Sequence, residues 1–163
     1  MRPRTAVVHG SFRIERTYAA PPPRVFAAFA DPATKRRWFV EDDGRSIREH
    51  TLDFRVGGGE RVVSLFGGGP PGAPPAGTEM VSDTTYLDIV PDERIVFAYT
   101  MAAGGRRFSA SLATVELLPE GARTRLVFHE QAAFFEGADG PAMREQGWKA
   151  LLDTLGAELR QAG

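Results

Sequence analysis

The chain has 163 residues, 42% hydrophobic and 25% charged, which suits a single domain spanning 1–163 with a full-sized core. Its formal net charge of −1 gives no global electrostatic reason to expect nucleic acid or an anionic membrane as partner. There are no cysteines, which excludes disulfides, thiolate catalysis and cysteine-held zinc. No segment approaches the roughly 18 apolar residues of a membrane span. The N-terminus, MRPRTAVVHGSF, lacks an apolar run of signal-peptide length, so no membrane insertion and a cytoplasmic address are expected.

Residues 12–19 alternate, Phe12, Ile14 and Arg16 against Arg13, Glu15 and Thr17, and read as a first strand. Pro21, Pro22 and Pro23 stop it and open a short helix over RVFAAFADP. Asp31 caps a second short helix, with Pro32 at its first position and ATKRRWF as its body, ending near Trp38 and Phe39. From about residue 46 the texture is β. TLDFRV (51–56) and ERVVSLF (60–66) flank Gly57–Gly59 as a hairpin. The stretch 67–77 holds only Gly, Pro and Ala and reads as a loop. Residues 78–90 form a strand with a bulge near Ser82 and Asp83; 95–101 and 107–118 form a hairpin; 123–134 is the last strand. After Gly137 the period lengthens. Met143, Trp148, Leu151, Leu152, Leu155 and Leu159 make one apolar stripe on a helix of roughly twenty residues. A sheet with one apolar face needs a cover, and this helix is the only element long enough. The expected fold is α+β, a curved antiparallel sheet gripping its C-terminal helix.

Alternation also assigns faces. Leu126, Phe128 and Glu130 point inwards on the last strand, and His129 and Gln131 outwards. Val115 and Leu117 face in on the preceding strand, as do Leu52, Phe54 and Val56, and Leu87 and Ile89, on theirs. Ile95, Phe97 and Tyr99 are inward candidates on a strand whose two faces are both apolar. The plain reading of each apolar residue is core. Together they also suit an aromatic-lined pocket with a few polar groups. Trp38, Phe39 and Trp148 are the first choices for ligand contacts, followed by Phe54, Phe97, Tyr99, Phe128 and Leu152. Glu130 is the polar candidate and the first catalytic one. It is either a general base or anchor for a ligand hydroxyl, or a structural carboxylate paired with an arginine such as Arg144 or with backbone N–H groups.

Other motifs carry less. His9, His50 and His129 lack metal-ligand spacing, so no metal is expected. The GGG runs at 57–59 and 67–69 lack the context of a phosphate or dinucleotide loop, so no cofactor is expected either. Lys35, Arg36 and Arg37 read as a solvated helix face rather than a recognition patch.

The order of elements resembles the helix-grip fold of the START/Bet v 1-like (SRPBCC) superfamily. Within it the chain is similar to the group related to the Hsp90 ATPase activator homologue 1 C-terminal domain. The residues that carry the likeness are FRIERTYAAPPPRVFAAFADPATKRRWF, TLDFRVGGGE, YLDIVPDERIVFAYTM, SLATVELLPEGARTRLVFHEQAAFF and REQGWKALLDTLGAEL, about 11–160. The resemblance implies a cavity between sheet and long helix that binds a small hydrophobic molecule. It offers two alternatives: an enzyme of cyclase, aromatase or hydrolase type, for which the resemblance supplies no catalytic motif and the residues themselves suggest Glu130 or Tyr99 as the proton handler, and a chaperone-regulating interaction module. The last fits least, because residues 1–10 are too few to hold the activator's further N-terminal domain. A homodimer through a sheet edge is also open.

Overall fold

The computed structural model describes residues 6–41 and 45–161; the outer limits of the expected span, at 1 and 163, lie outside the described residues. The elements are β1 (Val8–Tyr18), α1 (Pro22–Ala30), α2 (Pro32–Lys35), a π-helical turn (Arg36–Val40), β2 (Ser46–Leu52), β3 (Gly59–Leu65), β4 (Glu79–Val90), β5 (Arg94–Ala103), β6 (Arg106–Glu120), β7 (Arg123–Phe134) and α3 (Pro141–Gln161). The strands form one antiparallel sheet in the order β1-β7-β6-β5-β4-β3-β2, with β1 and β2 at its edges. This is the expected α+β helix-grip arrangement. No helix among the described residues is long and apolar enough to cross a membrane.

The core lies between the sheet and α3. Phe12, Ile14, Ile95, Phe97, Tyr99, Val115, Leu117, Leu126 and Phe128 supply the sheet side, and Trp148, Leu152, Leu155 and Leu159 the helix side. Period-2 alternation on β6 and β7 therefore gives the correct inward sets, and on β5, apolar on both faces, the candidates Ile95, Phe97 and Tyr99 are the ones that turn inward. Tyr18 locks α3 to β1 by donating its buried hydroxyl to the Leu152 carbonyl at 2.7 Å. Asp31 caps α2 as expected, accepting from the Thr34 N–H at 2.9 Å. After Lys35 the helix widens. The Glu41 N–H reaches back five residues to the Arg36 carbonyl, a π-type bond that re-aims the side chains of its turn. Trp38 thereby turns inward, 1% exposed, and donates its indole N–H to the Ala28 carbonyl at 2.8 Å.

Several expectations are corrected. The strand placed at 51–56 ends at Leu52; Phe54 reaches the core from beyond the strand and Val56 is exposed. The bulge sits between Tyr86 and Asp88, not at Ser82–Asp83. One extra residue flips the alternation, so Tyr86 is buried and Leu87 is exposed. On α3, Met143 is exposed while its neighbour Arg144 is buried, because a cluster of acceptors awaits the guanidinium. Lys35 is no solvated cation: it is 4% exposed.

Candidate functional site

The carboxylate of Glu130, on β7, is completely buried, as its face in the alternation requires. Its neighbours His129 and Gln131 are exposed on the other face. Register places the group beside its partners: Glu130 pairs with Ala113 on β6 and Phe12 on β1, and Tyr99 pairs with Ser111 across β5 and β6. Tyr99 is the hub. Its hydroxyl donates to Glu130 Oε1 at 2.7 Å. It accepts from Arg144 Nη1 and from Trp148 Nε1, each at 3.1 Å. Arginine and indole nitrogens only donate, so the Tyr99 proton has a single destination, Glu130.

Arg144 enters from the first turns of α3. Its Nε and Nη2 grip Asp139 Oδ2 and Oδ1, both at 2.8 Å. Nη2 also reaches Ser109 Oγ at 2.9 Å, and Nη1 reaches Ser111 Oγ at 3.3 Å. With the bond to Tyr99, all five guanidinium N–H donors are used. Glu130 Oε2, 3.6 Å from Nη1, has no hydrogen-bond partner. The structural alternative for Glu130, pairing with Arg144, is thus half realised: the charges face each other without a hydrogen bond.

Burial pushes the Glu130 carboxyl above the usual carboxylate range; the Tyr99 hydrogen bond, the Arg144 charge and the nearby Ser111 pull it back only in part. Burial likewise raises the Tyr99 phenol.

The apolar candidates gather around this cluster. Trp148 packs at a tilt against Phe128, 4.2 Å between centroids, and meets Phe39 at 5.8 Å, Phe97 at 6.3 Å and Tyr99 at 6.4 Å. Trp38 packs against Phe39 at 5.6 Å. Phe54 is farther along, against Tyr86 at 4.9 Å. Leu152 is fully buried one turn beyond Trp148. These residues form one packed aromatic interior. A hollow of about 650 Å³ lies on the outer face of the sheet, lined by His9, Ser11, Leu112, Gln131 and neighbours. A second, of about 270 Å³, lies where α1 and α2 meet the end of α3. Neither is between the sheet and α3.

At the far end of the aromatic chain lies a second buried ionic group that the sequence pattern did not reveal. Glu60 Oε1 accepts from Lys35 Nζ at 2.7 Å and from Tyr86 Oη at 3.4 Å, and its Oε2 lies 2.8 Å from His50 Nε2. The Lys35 ammonium also lies 4.3 Å from the centroid of the Phe39 ring, a cation–π contact. Burial alone raises Glu60, but the Lys35 charge and the bonds from His50 and Lys35 outweigh it and hold the carboxyl below its ordinary value. A signal existed: Glu60 shares a face of β3 with Val62 and Ser64, both buried.

The two glutamates have opposite pH signatures. Glu60, lowered in the fold, contributes stability above the unfolded carboxylate value of about 4.3 and loses it as pH falls through its lower folded value. Glu130, raised in the fold, contributes below about 4.3 and loses that contribution as pH rises through its higher folded value. Urea unfolding between pH 4 and 8 is expected to show Glu130→Gln gaining on the parent chain as pH rises. Glu60→Gln loses ground over the lower part of that range. Parallel pH profiles for the two variants would contradict the assignment.

Comparison with known proteins places this geometry. A search among curated proteins finds no match to the sequence. Among solved structures, the chain is similar to the Mll3558 protein from Rhizobium loti, with 52% identity over 94% of this chain and 99% of that one and a TM-score of 0.80. It is also similar to a protein from Rhizobium leguminosarum, with 37% identity over 96% and 97% of the two chains and a TM-score of 0.84. Protein CV1439 from Chromobacterium violaceum shares 28% identity over 91% and 96%, with a TM-score of 0.68. The family model described as Activator of Hsp90 ATPase homolog 1-like protein matches residues 19–160. The grip of the sheet on α3 and the match over most of its length agree: this chain belongs to the Activator of Hsp90 ATPase homolog 1-like family.

Proposed function

We propose that the chain binds a small apolar or amphipathic molecule between its sheet and α3, with the rings of Trp148, Phe39, Phe97 and Phe128 parting to admit it. The observation that carries this reading is Glu130 Oε2, fully buried and without a hydrogen-bond partner beside a continuous aromatic interior. Leaving such a group unpaired costs about 1–3 kcal/mol or more, a cost that a role in binding explains and packing does not. Membership of the family and the helix-grip architecture support the reading but do not name the molecule.

Native mass spectrometry of the freshly purified chain, then an NMR screen of apolar and amphipathic compounds, tests it. The expected result is a bound molecule whose presence shifts the Trp148 indole N–H resonance. A library that leaves Trp148, Tyr99 and Phe128 unmoved sinks the proposal.

One observation favours a second reading, catalysis in the same place. Glu130 is held above the ordinary carboxylate range and receives the Tyr99 proton, the kind of tuning that general acids and bases need. If Glu130→Gln leaves the turnover of an identified substrate unchanged, that role is lost.

A further inference from the structure

Among the described residues, the buried lysine and arginine side chains are Lys35 and Arg144, and both are already committed. Arg144 has spent its five N–H donors on Asp139, Ser109, Ser111 and Tyr99. Around it stand two carboxylates, Asp139 and Glu130, against one guanidinium. Lys35 is held by Glu60 at 2.7 Å and lies against the Phe39 ring. Ser109 and Ser111 keep their own hydroxyl hydrogens, but each is anchored on Arg144 and neither carries charge. An entering carboxylate would therefore be a third acidic group beside one guanidinium and would find no free charged donor.

Among the described residues, the buried side-chain polar atom without a hydrogen-bond partner is Glu130 Oε2. If the carboxyl is ionised, Oε2 accepts; if it is protonated, with Oε1 receiving the Tyr99 hydrogen, Oε2 becomes a donor. A hydroxyl group satisfies either state, because it both donates and accepts. An ether or a bare ring does not satisfy the ionised state, and an anion repels it.

We infer that the molecule taken into this interior is uncharged, ring-containing and hydroxyl-bearing, that its hydroxyl pairs with Glu130 Oε2, and that carboxylic acids are selected against. This rests on the binding site proposed above. It assigns Glu130 as the specificity-determining residue and Arg144, despite its charge, as a positioning residue that orients Tyr99 rather than an anion receptor.

The test compares 2-naphthol, 2-naphthoate and naphthalene at pH 7, by NMR titration of the Trp148 indole N–H in the full chain. The expected result is at least tenfold tighter binding of 2-naphthol than of 2-naphthoate. Glu130→Gln keeps the volume but replaces the carboxylate with an amide that offers an N–H, so it is expected to narrow that preference at least tenfold. Glu130→Leu, which offers neither donor nor acceptor, is expected to bind 2-naphthol no better than naphthalene. If 2-naphthoate binds the parent chain as tightly as 2-naphthol, the inference is overturned while the binding site stands. It is overturned in the same way if the preference is unchanged in both variants. If none of the three compounds, nor any member of the wider apolar library, moves the Trp148 resonance, the inference and the binding site fall together.

Discussion

Replacing Lys35 with methionine is expected to lower the stability of the fold by about 3 kcal/mol, the lower end of the range for breaking a buried ion pair. Lys35 and Glu60 are 4% and 3% exposed and 2.7 Å apart. Removing the cation strands a carboxylate that no longer has its main compensating charge. The loss stays at the lower end because His50 and Tyr86 still face Glu60. A drop of that size corresponds to roughly 6–12 °C in Tm for a chain of this length. The double variant with Glu60→Gln is expected to recover at least half of the loss, since the neutral amide still accepts from Tyr86 and needs no counter-charge. Urea unfolding of the two single variants and the double completes the cycle. A loss under about 1 kcal/mol in Lys35→Met, the size of a solvent-screened surface pair, would show that the pair does not hold the π-helical turn to the sheet.

The second large effect is expected at Trp148. Its ring touches Phe39, Phe97, Tyr99 and Phe128, and it is 5% exposed. Trp148→Ala is expected to cost about 3–5 kcal/mol, from lost burial plus the space left among rings that cannot all collapse into it. Trp148→Phe separates the ring from its polar edge. It keeps most of the packing but removes the N–H that Tyr99 accepts at 3.1 Å, and is expected to cost about 1 kcal/mol more than the volume change alone. The Tyr99 hydroxyl keeps Arg144 as a donor, so its proton remains directed at Glu130. Equal stability of the alanine and phenylalanine variants would mean that the aromatic interior is loosely packed and that Trp148 is not its centre.

On β5, apolar on both faces, the fold decided which face turns in, whereas the element order, the inward faces of β6 and β7, the cap at Asp31 and the inward placing of Glu130 and Trp148 were legible in the residues alone. These follow from local rules. A strand exposes alternate residues to one side, a helix repeats its buried stripe every three or four residues, and a turn demands particular residues at its corners. They are written in the order of the side chains and need no knowledge of what lies across the fold.

The rest depended on contacts between distant segments. Leu87 and Val56 followed an alternation that a bulge and an early strand end interrupted, and neither event leaves a reliable mark in composition. Met143 and Arg144 are neighbours on one helix; Arg144 turned inward because Asp139, Ser109, Ser111 and Tyr99, distributed over a loop and two strands, offered acceptors there. Lys35 looked like a surface cation until β3 brought Glu60 beside it from 25 positions away. The physical reason is the same in each case. An apolar side chain is buried by a non-directional effect that any neighbour can satisfy, so its position can be read from pattern. A buried charge survives only with particular partners at particular distances, and only the folded chain brings those partners together.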